Sequence, residues 1–424
     1  MNKTFREWDD THWQRALELM PKGTQTMSKC PDQFVDGVYP KFISRGKGAY
    51  LYTPWSERYL DYMCGLGPII LGYSNKKVKK AVKKQLKKGT IFSLPTLLEQ
   101  KVAEQLIEVV PSLEQVRFCK NGSDATLAAV RIARSYTGKE VVLKPRGGYH
   151  GWGDWHAVSM NSNGIPQSLS ELIDTFEYNY SITLEDRLKH GDVAAVIIEP
   201  QALTSPKPGF LEDVRRLCTE HKAILIFDEI VTGFRWSLGG AQEYFNISPD
   251  LTCLGKAVAN GLPLAVIGGK KEYMKEMNKI FFSMTFGGET LSLAAAYETI
   301  KQLKKKDYTH LYKLGKELKS GILRVASKHL LKVDFQGDVT RFSIQFDSSY
   351  PDADGMKNLF FQEMVKQGIL FPNVIYIQFS HTEGDILRTV AAADAAFEKV
   401  FKYKDSVDSV LEGKRSTSIF RKNN

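Results

Sequence analysis

Cysteine is scarce, and its spacing excludes a disulfide scaffold. The five residues, Cys30, Cys64, Cys119, Cys218 and Cys253, are widely separated and form no C-x-x-C pair. The chain therefore has neither the cross-linked framework of small secreted domains nor a paired-thiolate metal site. A reducing compartment follows, and the expected location is the cytoplasm. Also missing is any apolar run approaching the roughly 20 residues of a membrane span. The opening Met-Asn-Lys-Thr-Phe-Arg-Glu-Trp-Asp-Asp10 has no apolar core of the length a secretory signal requires. None of the eight histidines shows metal-ligand spacing such as H-E-x-x-H, so no metal is expected. No internal repeat is visible.

What is present is a chain long enough to bury a large core. Its 424 residues and 43% hydrophobic content exclude a disordered or fibrous protein, and one large domain plus a smaller one is the natural division. The net charge of +10 invites a polyanion partner. However, the lysines fall in short groups such as Lys76-Lys77, Lys79-Lys80 and Lys304-Lys305-Lys306, spaced as the solvated faces of amphipathic helices. No nucleic-acid-binding motif accompanies them, so no nucleic-acid partner is expected. An anionic substrate or cofactor remains compatible.

The middle of the chain alternates strand-like and helix-like segments, as a doubly wound α/β sheet requires. Strands are expected at Gln115 to Cys119, Val141 to Leu143, Val193 to Ile198, Ala223 to Phe227 and Leu264 to Gly268, and helices at Ser123 to Tyr136 and Phe210 to His221. From about Lys306 the pattern changes to long amphipathic helices and shorter strands, including Val333 to Phe335 and Arg341 to Phe346. The expected division is an N-terminal segment 1–60 belonging to a small domain, a large domain 61–305, and a C-terminal α+β domain 306–424. The stretch before about Asp61 reads as extended and turn-rich, and the tail from about Gly413 as a frayed, polar terminus.

Chemistry enters with Lys256, in Asp250-Leu-Thr-Cys-Leu-Gly-Lys256-Ala-Val-Ala-Asn-Gly-Leu-Pro263, and with Asp228 upstream. Taken singly, each has a bland explanation: a solvated loop charge and a helix cap. Ala223-Ile-Leu-Ile-Phe227, however, is a continuous apolar run, as in a parallel strand covered on both faces, and Asp228 lies at its carboxyl end, where open α/β sheets bind ligands. An amine able to bond an aldehyde cofactor, together with a carboxylate able to keep a pyridine nitrogen protonated, makes the electron sink of pyridoxal phosphate chemistry.

Two further stretches fit that reading. Lys120-Asn-Gly-Ser-Asp-Ala125 is a strand-to-helix junction, with Gly122 permitting close backbone approach and Ser123 or Asp124 able to cap. Amides at a helix start make a phosphate cradle, and the same residues would serve equally as an ordinary turn and cap. Gly147-Gly-Tyr149-His150-Gly-Trp152 follows the Val141 strand, and an aromatic ring there could stack on a pyridine; a packed tyrosine in a glycine-rich loop is the alternative.

On these residues the chain resembles the class III (fold type I) pyridoxal-phosphate aminotransferases, nearest the glutamate-1-semialdehyde 2,1-aminomutase subfamily. The resemblance spans roughly residues 15 to 400. It is most specific in Ile226-Phe-Asp-Glu-Ile-Val-Thr-Gly-Phe-Arg235, Pro249-Asp-Leu-Thr-Cys-Leu-Gly-Lys256 and Ser380-His-Thr-Glu-Gly-Asp385. It implies a large domain with a mostly parallel sheet and a smaller α+β domain built from both ends of the chain. It also implies pyridoxal 5'-phosphate as cofactor, Lys256 as the Schiff-base lysine, Asp228 as the partner of the pyridine nitrogen, and Tyr149 as the stacking ring. Asn121, Gly122 and Ser123 match the positions that hold the phosphate. Thr285, in Met284-Thr-Phe-Gly-Gly288, matches a threonine that reaches the phosphate of the neighbouring subunit, so a homodimer with its sites at the interface is implied. The amine of Lys256, once freed by an amino donor, would carry a proton between the substrate carbon and the cofactor's C4′.

The departures concern substrate. Thr26 and Lys29 lie where the aminomutase has a serine and an arginine that hold a carboxylate, and Lys lacks the planar fork of Arg. Asn373 stands at a glutamate position, and Gly288-Glu-Thr290 replaces the more usual Gly-Asn-Pro. Gln201-Ala-Leu-Thr-Ser-Pro206 lacks the Gly-Glu-Ala-Gly of ornithine and γ-aminobutyrate aminotransferases. Glu199, Glu229 and Arg235 serve either to orient the site or as structural ion pairs. The expected function is transfer of an amino group from a small-molecule donor such as glutamate to an aldehyde or keto acceptor, with an intramolecular aminomutase as the alternative.

Overall fold

The computed structural model describes residues 3–159 and 163–417. Its contacts divide the chain into two units: Lys76–Tyr308, and the residues up to Asn75 together with those from Thr309 onward. The boundaries expected from sequence were 60/61 and 305/306.

The unit built from both chain ends opens with a helix, Lys3–Leu19, where an extended segment was expected. The reason is an aromatic face. Phe5 stacks on Trp55 at 4.8 Å, and Trp8 meets Phe42 and Trp55 edge-on; such contacts stabilise a helix that propensity alone leaves marginal. Three short strands follow, β1 (Arg45–Lys47), β2 (Tyr50–Tyr52) and β3 (Arg58–Asp61).

Seven strands form the sheet of the Lys76–Tyr308 unit: β4 (Gln115–Cys119), β5 (Val141–Pro145), β6 (Ile173–Phe176), β7 (Val193–Ile198), β8 (Ile224–Glu229), β9 (Leu251–Leu254) and β10 (Ala265–Gly269). Their order is β4-β10-β9-β8-β7-β5-β6. β6, β5, β7, β8 and β9 are mutually parallel, whereas β10 runs antiparallel between β9 and β4. Two reversals restore direction, so β4 points the same way as β9. The carboxyl ends of β4, β5, β8 and β9 thus share one edge of the sheet.

Burial explains the apolar runs. Every residue of β7 and β8 is buried, and successive side chains enter opposite cores. Ala195, Ile197, Ile224 and Ile226 pack with the helix Gly122–Thr137. Val196, Ile198, Leu225 and Phe227 pack with the helix Phe210–Glu220.

The chain returns to the first unit with β11 (Val333–Asp338), β12 (Arg341–Phe346), β13 (Ile369–Leu370) and β14 (Ile375–Tyr376), and three helices, Thr309–Lys328, Ala353–Lys366 and Glu383–Tyr403. β13 pairs in parallel with β3, Ile369 opposite Leu60, which knits the two chain ends into one body. Residues 413–417 are held within that body: Lys414 bridges to Asp36, Arg415 pairs with Asp352, and Ser416 bonds Asn358. The remainder of the tail, 418–424, lies outside the described residues. Among the described residues no helix is long and apolar enough to cross a membrane.

Candidate active site

Asp228 is the penultimate residue of β8, in register with Cys253 of β9, and is buried. A carboxylate there needs partners for both oxygens. Oδ1 accepts the N–H of Ile230 at 3.1 Å, and Oδ2 lies 2.7 Å from Nδ1 of the buried His150. A carboxylate only accepts, so Nδ1 of His150 carries the proton. The backbone N–H of His150 in turn donates to Nε2 of His156 at 3.2 Å. Burial first, then the neighbouring His150 and Lys144, pushes His156 down to about 2, so it stays neutral with its proton on Nδ1.

Lys256 follows β9 after Gly255 and begins the short turn Lys256–Ala259. Its φ is +39°, a left-handed conformation that a residue with a Cβ adopts at a cost of roughly 1–3 kcal/mol. Such strain just after a strand that pairs with the one carrying Asp228 marks a position held by its surroundings. Those surroundings include Ile230. A Cβ on Gly255 would meet Cδ1 of Ile230 at 3.0 Å, and one on Gly122 would meet the same atom at 3.2 Å. One isoleucine side chain therefore spaces the turn after Asp228, the approach to Lys256 and the start of the helix Gly122–Thr137.

That helix start combines both sequence readings. Asn121, rather than Ser123 or Asp124, is the cap: its side chain accepts the N–H of Asp124, while the Asp124 carboxylate accepts the N–H groups of Asn121 and Lys120. The first-turn amides of Gly122 and Ser123 have no carbonyl within the helix to bond. Oγ of Ser123 accepts the N–H of Trp152 at 3.1 Å, leaving its own O–H to donate. Oγ1 of Thr126 bonds the carbonyl of His150 at 2.7 Å. The loop after β5 is thus laid on the helix start, and Tyr149 within it keeps 46% exposure. Partial burial, with the Asp228 charge adding, raises the Tyr149 hydroxyl's pKa.

These contacts bring Asp228, Lys256, Gly122, Ser123 and the Tyr149 loop together at the carboxyl ends of four strands. Thr285 is exposed, in the turn before the helix Thr290–Leu303; Gly287 in that turn rests against the Phe118 carbonyl of β4. Thr26, Lys29 and Asn373 belong to the other unit. Thr26 opens the turn Met27–Lys29, its carbonyl accepting the N–H of Lys29, and Asn373 is exposed in the loop between β13 and β14. Glu229 resolves as structural: its carboxylate accepts Thr232, the N–H groups of Ala241 and Gln242, and the Gln242 side chain. Among the described residues no group of three or more His, Cys, Asp or Glu could hold a metal.

Sequence reasoning passed over His150, His156 and Lys120. His150 meets an acid that is 78 positions away. Its adjacency to Tyr149, at the end of a strand two places from β8 in the sheet, was the available signal.

Comparison with known proteins agrees with this geometry. A family model described as aminotransferase class-III matches residues 35–379. Glutamate-1-semialdehyde 2,1-aminomutase 2 of Bacillus cereus is 34% identical over 419 residues, covering 92% of this chain and 97% of that one. Among solved structures, the pyridoxal-phosphate-bearing FumI protein of Sphingopyxis sp. MTA144 superposes with a TM-score of 0.89 at 27% identity, covering 96% of this chain and 98% of that one. An omega-transaminase from Sphaerobacter thermophilus does so with a TM-score of 0.87 at 25% identity, covering 94% and 100%.

Proposed function

The chain belongs to the class-III aminotransferase family, and from that premise we propose that it transfers an amino group from a donor such as glutamate to an aldehyde or keto acceptor, with Lys256 and Asp228 as its catalytic residues. Enzymes of this family depend on pyridoxal phosphate. The observation that carries the reading is the buried Asp228–His150 pair beside a strained Lys256, with unpartnered helix-start amides on the same edge of the sheet.

The residues fit the cofactor chemically. Gly122 and Ser123 present N–H groups, and Ser123 a hydroxyl, at a helix start suited to a phosphate. Nothing larger than glycine fits at 151, where a Cβ would meet Cα of Ser123 at 2.9 Å, so the Tyr149 loop can lie close over that cradle. When bound, pyridoxal phosphate supplies an electron sink for the substrate carbon that carries the nitrogen. Asp228 would hold a proton at the pyridine nitrogen, with His150 fixing that carboxylate by donating to Oδ2. Tyr149 sets the plane of the ring. The ε-amine of Lys256 would hold the cofactor and, once displaced by the donor's amine, would be free to act as the base that takes the proton from the substrate carbon.

We also propose a homodimer in which Thr285 serves the partner's phosphate site. Phe281 is 83% exposed, and Phe286, Phe92, Leu94 and Leu97 are exposed with it. Their segments are neighbours, since Thr290 bonds the carbonyls of Gly89 and Thr90. Apolar exposure of that kind marks an interface. A second reading, an intramolecular aminomutase on glutamate-1-semialdehyde, is favoured by the likeness to the Bacillus cereus enzyme. Against it stand the departures noted in the sequence: Thr26 and Lys29 where the aminomutase has a carboxylate-holding serine and arginine, and Asn373 at a glutamate position.

Absorbance from about 300 to 500 nm, with Lys256→Ala alongside, tests both. The transferase reading expects a visible band absent from the variant, bleached by a single amino donor with release of its keto acid. Isomerisation of an amino-aldehyde without a second substrate would instead establish the mutase. A protein that shows no band after incubation with pyridoxal phosphate would sink both.

A further inference from the structure

Three segments carry the groups assigned above to the cofactor: the loop after β4 with Asn121–Ser123, the turn between β9 and β10 that begins at Lys256, and the stretch with Thr285 before the helix Thr290–Leu303. One ammonium group is bonded into all three. Lys120 immediately precedes Asn121. Its Nζ donates to the carbonyl of Pro263, at the end of the Lys256 turn, at 3.2 Å, and to Oε2 of Glu289 at 3.1 Å. Glu289 caps the helix that follows the Thr285 stretch, accepting the N–H groups of Leu291 and Ser292 and the hydroxyl of Ser292.

We propose that Lys120 is a positioning residue for the phosphate end of the cofactor site, with Glu289 as its anchor. It acts through the Asn121–Ser123 loop, fixing where the amides of Gly122 and Ser123 point. The inference rests on the functional reading above.

The geometry is more than a surface ion pair. The side chains are 21% and 17% exposed, so solvent screens the pair less than an exposed one. Burial opposes ionisation of Glu289, yet the donors from Ser292 and Leu291 and from Lys120 hold it below the usual carboxylate range. The anchor therefore remains anionic at neutral pH. Register explains why the contact exists. Ala265 of β10 pairs with Cys119 of β4, so the residues just before one strand and just after the other, Pro263 and Lys120, must meet. Glu289 and Thr290 stand where the aminotransferases more usually have Asn-Pro.

The test compares binding of pyridoxal phosphate with that of pyridoxal, which has the same ring and aldehyde but no phosphate. Lys120→Met should weaken pyridoxal phosphate about tenfold, equivalent to about 1.4 kcal/mol, and leave pyridoxal within about twofold. Lys120→Arg should restore most of the loss. Glu289→Gln, which keeps an acceptor for the helix amides, should act in the same direction, and the double variant should fall short of the summed effects. A general loosening would weaken both ligands alike and overturn the proposal, as would unchanged affinity in both single variants. Should Lys120→Met not fold, the same phosphate-specific comparison on Glu289→Gln decides. If the wild-type protein binds neither ligand, the functional reading itself fails, a result distinct from any variant outcome.

Discussion

His156 makes the fold around the site acid-sensitive, and the size of that sensitivity follows from its burial. In the folded protein the imidazole sits at about 2, driven down mainly by desolvation, while an unfolded chain titrates near its ordinary value of about 6.5. A depressed folded-state pKa stabilises the fold above the unfolded value and withdraws that stability as pH falls. Each pH unit below about 6.5 removes about 1.4 kcal/mol, so by pH 5 the loss is about 2 kcal/mol. The perturbation is His156→Gln, which retains an acceptor for the His150 N–H but does not titrate. Urea unfolding at pH 7.5 and 5, with hydrogen exchange over 141–157 to report on this unit alone, measures the effect; a chain of two units need not unfold in one step. The expected result is a wild-type advantage over the variant that shrinks by about 2 kcal/mol between the two pH values. Parallel curves would refute the reasoning. In the folded protein His156 stays neutral across this window, so its bond from the His150 N–H persists and cofactor retention by the folded protein should not change between the two pH values.

Gly151 has a φ of +107° and no room for a Cβ beside Ser123. Gly151→Ala should cost about 2–4 kcal/mol in urea unfolding, and a neutral variant would show that the loop lies off the helix start. Lys144 is buried with its Nζ donating to the Gly148 carbonyl, and desolvation pulls it down to about 8. Its stability contribution is complete above about 10.5 and lost as pH falls through about 8, a difference of about 3 kcal/mol that Lys144→Met should abolish. If the variant and wild type keep a constant gap between pH 8 and 10.5, the buried ammonium is relieved by something other than loss of its proton.

The legible part of this molecule is the part governed by local burial. β7 and β8 read directly from Val193–Ile198 and the run ending at Phe227 because a strand covered on both faces has no polar side to interrupt it. Asp228 was found from its place at the end of such a run, and Lys256 from its pairing with that acid as an amine suited to an aldehyde cofactor. β9 was not, because Leu251–Leu254 is only four residues long and includes a threonine and a cysteine; a run that short does not distinguish itself from a loop. The helix Lys3–Leu19 was read as extended because its aromatic residues show their purpose only against Phe42 and Trp55.

Non-local pairs were invisible for a different reason. His150 meets Asp228 across 78 positions, and Lys120 meets Glu289 across 169; both distances are set by strand order, which no periodicity encodes. The insertion of antiparallel β10 between β9 and β4 decides the second pair. Were β4 to lie directly beside β9, the turn leading from Lys256 would not return past Cys119, and Pro263 would have no reason to be near Lys120. The same strand returns the chain towards the helix capped by Glu289. A residue that reads in the sequence as one more surface lysine beside an Asn-Gly turn is therefore drawn to a three-way contact by topology, and the chemistry of the site is arranged as much by that reversal as by the residues that perform it.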